Sequence, residues 1–227
     1  MQNARTFRAA VFDMDGLLLD SERPIVEAWL QGARDHGCSF DPELLLRVMG
    51  RRGAEGVALF RESLGSTFPY DEVWARVQVL LAKAHERGYQ VKVGARELLA
   101  RCRATGLTCA VASSTRRVQV EQRLESVGLR GYFEVVVGGD EVARSKPDPD
   151  IFLLVAERLG AAPEHCLVFE DSEHGARGAI AAGMQAVIVP DLNEPSEEAR
   201  AFSLAVLPSL AHVETRFDAW FGGSLAT

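Results

Sequence analysis

Residues 8–16 read Arg-Ala-Ala-Val-Phe-Asp-Met-Asp-Gly. A short apolar run that stops abruptly at an acidic residue has the length and character of a buried strand. It leaves Asp13 and Asp15 just past the strand's carboxyl end. The next stretch is of a different kind. From about 21 to 88 the pattern is helical and punctuated: Asp20 or Ser21 offers a cap, Gly37 closes the first helix, Asp41-Pro42 opens the next, and Gly50 follows it. Two more helical stretches, over 54–64 and 71–87, end at Gly65 and Gly88. Beyond 91 helices and apolar strands alternate. Helices are expected over 95–104, 116–127, 150–159 and 174–182, and strands over 108–112, 134–137, 166–169, 186–189 and near 205–207. Such alternation predicts a parallel sheet with helices on both faces. One strand ahead of a helical block, with the others behind it, predicts an α/β core of residues 1–19 and 91–227. An α-helical cap is inserted over 20–90, with hinges near 16–21 and 88–94. The tail from about Asp218, with Gly222-Gly223-Ser224, is expected to be poorly ordered.

Composition narrows the class without naming it. At 227 residues the chain can bury a sizeable core, and 47% hydrophobic with 25% charged residues is ordinary for a globular protein. A formal charge of −7 speaks against a nucleic-acid surface, which needs a basic stripe. Small anionic substrates stay open, because a local pocket can oppose the global charge. No run of about 18 apolar residues is available to span a bilayer, and the opening residues lack a signal peptide's apolar region. A cytoplasmic protein is expected, with a monomer favoured and neither nucleic acid nor membrane as partner. Cys38, Cys102, Cys109 and Cys166 are scattered and form no CxxC pair, so neither a zinc site nor a disulfide framework is predicted. His36, His85, His165, His174 and His212 likewise lack ligand spacing.

The unusual polar residues fall at the predicted strand ends, where open parallel sheets bind their ligands. Asp13-Met14-Asp15-Gly16 follows the first strand and Ser113-Ser114-Thr115 the second; Ser145-Lys146-Pro147 follows the third and Glu170-Asp171-Ser172 the fourth. Carboxylates gathered this closely raise one another's pKa unless a cation neutralises them, so the grouping asks for a metal. Hard oxygen ligands indicate Mg²⁺, which keeps waters and completes its shell with a phosphate oxygen. Lys146 and Ser113 are then left to hold the other phosphate oxygens while a carboxylate attacks phosphorus in line. The second carboxylate, two residues on, can protonate the leaving oxygen and later deprotonate a water. Each residue also has a bland reading: Ser113 as a helix cap, Lys146 as a solvated lysine, Glu170 and Asp171 as complements to a helix N-terminus. Asp148, ahead of Pro149, is better read as a helix cap.

Phe-Asp-Met-Asp-Gly-Leu-Leu-Leu-Asp-Ser (12–21), Ala-Ser-Ser-Thr (112–115), Ser-Lys-Pro-Asp-Pro (145–149) and Phe-Glu-Asp-Ser (169–172) together resemble the four motifs of the haloacid dehalogenase superfamily. The nearest likeness is to its branch of beta-phosphoglucomutase-like sugar-phosphate phosphatases. The similarity extends over nearly the whole chain, including Gly175, Ala179, Ala182 and Gly183. It implies a Rossmann-like core and a mobile cap that closes over the site, Asp13 as nucleophile and metal ligand, and Asp15 as general acid/base that lends its backbone carbonyl to Mg²⁺. It further implies that Ser113 binds the transferring phosphoryl group, that Lys146 neutralises its charge, and that Asp171 with Glu170 completes the metal site. Ser114 is expected to contribute through its backbone N–H. In the cap, Arg51 and Arg52 could reach anionic or hydroxyl groups of the substrate, since arginine forks suit that task. Arg116 and Arg117 are expected on the exposed first turn of a helix.

Within this resemblance the first motif separates the chemistries. Dehalogenases lack the second aspartate and phosphonatases carry a small residue there, so Asp15 speaks against both. Mutases of the beta-phosphoglucomutase type carry a histidine in the first cap helix where this chain has Ile25, and a cap arginine near Gly50, where Arg51-Arg52-Gly53 stands here. Hydrolysis of a small phosphomonoester, a sugar or polyol phosphate, is therefore expected, with mutase activity the alternative. A non-catalytic binding protein on the same fold would ordinarily have lost one of Asp13, Asp15, Lys146 or Asp171, and all four are present.

Overall fold

In a computed structural model, which describes residues 7–49 and 54–222, strand β1 (Ala9–Phe12) is buried along its whole length. The chain then forms β2 (Leu19–Asp20), four helices α1 (Glu22–Asp35), α2 (Pro42–Met49), α3 (Ala54–Leu64) and α4 (Tyr70–Arg87), and β3 (Gln90–Val91). From there helices and strands alternate: α5 (Ala95–Ala104), β4 (Thr108–Ser113), α6 (Arg117–Ser126), β5 (Val135–Gly138), α7 (Asp150–Leu159), β6 (Cys166–Glu170) and α8 (Glu173–Ala181). The series closes with β7 (Gln185–Ile188), α9 (Glu197–Phe202), β8 (Ala205–Val206) and α10 (Phe217–Phe221). Two compact units result. One takes the chain up to Leu19 and from Gln90 onward; the other is Asp20–Tyr89.

The first unit is an α/β fold around a six-stranded parallel sheet of order β5-β4-β1-β6-β7-β8. A strand buried on both faces reads as a continuous apolar run, and β1, β4 and β6 do so because helices cover both sides. Phe12 and Phe169, neighbours in the β1–β6 register, stack at 5.1 Å between centroids. Beneath α7 and α8, Val11, Val168, Phe152, Val155, Ala176 and Ala179 share one buried cluster. The smallness of Ala176, Gly178 and Ala179 lets α8 approach; Gly178 lies against the Phe152 ring. The second unit has its own core, in which Trp29 packs edge-on to Phe60 at 4.8 Å, with Leu45, Val73 and Val77 around them. Ile25 packs against this core.

The structure corrects three sequence expectations. Asp218–Gly222 is ordered, while Gly223 and Ser224 lie outside the described residues: α10 buries Phe217 and Trp220, the Trp220 carbonyl accepts from Phe7 N, and Asp218 pairs with Arg101. Two large rings outweigh the glycines that follow them. Asp148 is no cap, because Pro149 holds the N-cap position of α7 and Asp148 pairs with Arg144. Ser21 occupies the N-cap of α1 in a helical rather than extended conformation, and its hydroxyl makes no cap bond.

Candidate active site

Strand β1 lies between β4 and β6, so the residue that follows it emerges at the middle of the sheet's carboxyl edge. The N–H of Asp13 donates to the Phe169 carbonyl at 3.0 Å, which carries the ladder one residue past the strand and fixes where the side chain leaves. Lys146, in the loop between β5 and α7, brings its ammonium to Asp13 Oδ1 at 2.6 Å, Glu170 Oε1 at 2.5 Å and the Ala112 carbonyl at 2.9 Å. An ammonium has three protons, and these bonds use all of them. Its charged end also lies 5.1 Å above the Phe152 ring, which joins the site to the core.

Asp13, Lys146 and Glu170 are buried, and two carboxylates share one ammonium. One of the acids must carry the surplus negative charge. Burial opposes ionisation of Glu170, but Lys146 and the donors of Ser172 outweigh it and hold the carboxyl below its ordinary range. Burial dominates at Asp13; Lys146 lowers its pKa, Glu170 and Asp15 raise it, and the carboxyl is pushed up to about 7. Lys146 is opposed by burial yet raised overall by the two acids it contacts.

Both oxygens of Glu170 are occupied. Oε1 accepts from Lys146, while Oε2 accepts from Ser172 N at 3.1 Å and Ser172 Oγ at 2.8 Å. Ser172 meanwhile caps α8 by accepting from Gly175 N at 3.1 Å. A Cβ on Gly175 would collide with the Glu170 carboxylate. In this structure Glu170 is held by Lys146 and Ser172. Asp171, the next residue, turns the other way. Gly16, at φ 82°, closes a turn by donating to the Leu19 carbonyl at 2.9 Å, and a Cβ there would collide with Asp171 Oδ2. Only glycine permits both that conformation and that approach.

Among the described residues no group of three or more His, Cys, Asp or Glu side chains is arranged to hold a metal. What the edge offers a cation is smaller: Asp171, the Asp13 oxygen that Lys146 does not contact, and the main chain of the Asp15–Gly16 turn against which Asp171 lies. Two carboxylates and a carbonyl are hard donors, and the buried set carries uncompensated negative charge. These residues fit Mg²⁺, an ion that keeps several waters and takes few protein ligands.

Asp15 has different company. Its Oδ1 accepts from Arg123 Nη1 at 2.8 Å and its Oδ2 from Thr115 Oγ1 at 2.7 Å, with Ser113 Oγ 3.5 Å from Oδ2. Ser113, buried at the end of β4, accepts from Thr115 N at 3.1 Å and faces the acid; α6 is entered through Arg116 with no side-chain cap. Ser114 Oγ is buried and has no hydrogen-bond partner among the described residues. Arg116 and Arg117 are exposed, and Arg117 is engaged by Asp140 and Glu141. Arg51 and Arg52 lie outside the described residues. The sequence reading missed Arg123 and Ser172. Nothing at position 123 distinguishes it from any helical arginine, whereas Ser172, three residues before Gly175 at a strand-to-helix junction, carried a cap signal.

The parallel sheet gathers at one edge two aspartates after one strand, a hydroxyl cluster after the next, a buried lysine and a further acidic pair. The haloacid dehalogenase-like hydrolase family model matches residues 10–189. The chain is 34% identical over 201 residues to a phosphorylated carbohydrates phosphatase of Thermotoga maritima, covering 88% of this chain and 93% of that one. It is 33% identical to a fructose-1-phosphate phosphatase of Escherichia coli, covering 81% of this chain and 96% of the relative. A crystal structure of a haloacid dehalogenase family hydrolase from Deinococcus radiodurans, with bound phosphate and sodium, superposes with a TM-score of 0.81 at 27% identity, over 94% of this chain and 96% of that one. The chain belongs to the haloacid dehalogenase-like hydrolase family, and it is a phosphoric monoester hydrolase of that family.

Proposed function

We propose that this enzyme is a Mg²⁺-dependent phosphatase of small sugar or polyol phosphates that passes the phosphoryl group through Asp13. The observation that carries the reading is the state of the Asp13 carboxylate. One oxygen is clamped by Lys146 while the other is left at the sheet edge, beside Asp171 and the turn that carries Asp15. A nucleophile so held needs no reorganisation at the moment of attack. The relatives named for carbohydrate and fructose 1-phosphate support the substrate class.

The free oxygen of Asp13 attacks phosphorus, and the ester P–O bond breaks. Its electron pair goes to the leaving oxygen, which takes a proton from Asp15. Water then attacks the phosphorus of the aspartyl-phosphate and gives a proton back to Asp15; the bond to Asp13 breaks with its electrons returning to the carboxylate. Ser113 and the backbone at Ser114 bind phosphoryl oxygens, and Lys146 opposes their charge. When bound, Mg²⁺ would be held by Asp13, Asp171 and the carbonyl of Asp15, and it supplies charge neutralisation for two anions brought together. Glu170 acts through Lys146. The helical insertion, taken as residues 20–90, sets substrate choice, and Arg51 and Arg52 are its first residues to test.

The test is phosphate release from a panel of sugar and polyol phosphates, with and without Mg²⁺. Metal-dependent release from one sugar phosphate well above an aryl phosphate is expected. Interconversion of a sugar 1-phosphate and 6-phosphate without net release would make the enzyme a mutase, and full activity after exhaustive chelation would remove the metal from the reading.

A further inference from the structure

Asp15 and Arg123 are 108 residues apart in sequence, yet Arg123 reaches from the last turn of α6 to one oxygen of the carboxylate that the proposed reaction uses as acid and base. The ion pair is mostly enclosed, with side-chain exposures of 21% for Arg123 and 18% for Asp15. The two oxygens of Asp15 have partners of unlike chemistry. A guanidinium only donates, and it does not give up its proton in proteins. A threonine hydroxyl both donates and accepts. Oδ1 must therefore remain an acceptor while Arg123 holds it, whatever the charge of the carboxyl. Oδ2 has no such restriction: Thr115 Oγ1 donates to it when it is ionised and can turn to accept when it is protonated. Oδ2 is also the oxygen nearer Ser113 Oγ, at the end of β4.

We propose that Arg123 is a positioning residue that assigns the two oxygens of Asp15 their roles, holding Oδ1 so that proton transfer runs through Oδ2. The inference rests on Asp15 being the general acid and base. In the first half-reaction the proton on Oδ2 passes to the leaving oxygen as the P–O bond breaks and the electron pair departs with that oxygen. In the second, the water that attacks phosphorus returns a proton to Oδ2. Arg123 touches neither the substrate nor the transferring proton. Thr115 serves as the reversible partner that holds Oδ2 between turnovers.

An alkyl leaving group, such as a sugar hydroxyl, needs its proton, whereas p-nitrophenolate departs without one. The value of kcat/KM reports only the steps through leaving-group departure, so the later role of Asp15 as base does not enter. Arg123→Met keeps the aliphatic stem and removes the donors. It is expected to lower kcat/KM for the best sugar phosphate about 30-fold and for p-nitrophenyl phosphate no more than about threefold, part of the 10²–10⁴ that general acid catalysis supplies. Arg123→Lys, still only a donor, should recover part of the loss on the sugar phosphate. Arg123→Gln gives the same comparison should the methionine variant fail to fold. Equal losses on the two substrates, or no loss on either, in an otherwise active enzyme would overturn the assignment. Wild-type protein that releases phosphate from neither substrate would remove the phosphatase reading, and this inference with it.

Discussion

Asp13 and Asp15 leave the same strand two residues apart, and their surroundings are opposites. Around Asp13 two buried carboxylates share one ammonium, with Phe152 against the lysine and Gly175 against Glu170. Around Asp15 one part-exposed carboxylate receives two donors, an arginine and a threonine. The first arrangement is short of positive charge and favours a proton or a cation at the nucleophile. The second satisfies both oxygens and leaves one of them a partner that can reverse its role. In the proposed reaction these unlike surroundings would divide the work between two chemically identical residues, Asp13 as nucleophile and Asp15 as proton carrier.

Removing the charged groups one at a time should separate the two surroundings. Asp13→Asn is expected to lower kcat by more than about 10³-fold with the fold unchanged by circular dichroism, because an amide oxygen does not form the acyl phosphate. Asp15→Asn should retain formation of the covalent intermediate on an aryl phosphate while losing its hydrolysis, which a burst of nitrophenolate would show. Lys146→Met probes the charge balance directly. Removing one partner of a buried ion group leaves the others uncompensated, at a cost of about 3–5 kcal/mol measured by urea unfolding. That loss should be greater at pH 8 than at pH 5, since more negative charge is then left unpaired.

Smaller effects sharpen the picture. Because the folded-state pKa of Asp13 lies near 7, above its ordinary 3.8, folded protein binds this proton more tightly than unfolded protein does. Its contribution to stability is therefore full below about pH 4 and is lost as pH rises through about 7, by at most roughly 4 kcal/mol. Glu170 behaves oppositely: its pKa is lowered, so its contribution is present at neutral pH and lost only in acid. Between about pH 5 and 7 the metal-free enzyme should thus lose stability through Asp13 alone of this pair, and thermal melts of the wild type and Asp13→Asn check it. Added Mg²⁺ should raise the melting temperature more at pH 8 than at pH 5, when the carboxylate it meets is ionised. Gly16→Ala should cost about 1–2 kcal/mol for the left-handed turn and, by displacing Asp171, raise the Mg²⁺ concentration for half-activation.

Legibility in the sequence divides along the same line. The strands and their polar ends were legible because a fully buried parallel strand is an apolar run with an abrupt stop, and Ala9–Phe12, Thr108–Ser113 and Cys166–Glu170 are such runs. Most helix limits were legible from glycines and prolines; Ala95–Ala104 and Asp150–Leu159 match their expected bounds. The residues on either side of Asp13 belong to motifs adjacent to strand ends, so Lys146 and Glu170 could be assembled on paper. The partners of Glu170 could not, since only coordinates show Lys146 on one of its oxygens and Ser172 on the other. Arg123 was illegible for a different reason: it reaches the site from the last turn of a helix, where an arginine has no local signature. Helix α10 was hidden because its hold on the sheet depends on Phe7 and Arg101, more than a hundred residues away.

Whether the phosphoryl group rests on Asp13 is decided by acid-quenched single turnover with a phosphate-labelled sugar phosphate. Label is expected on the peptide containing Asp13, released by hydroxylamine as an acyl phosphate is, and absent from Asp13→Asn. Turnover at the wild-type rate with no label on that peptide, or label that persists in Asp13→Asn, would contradict it.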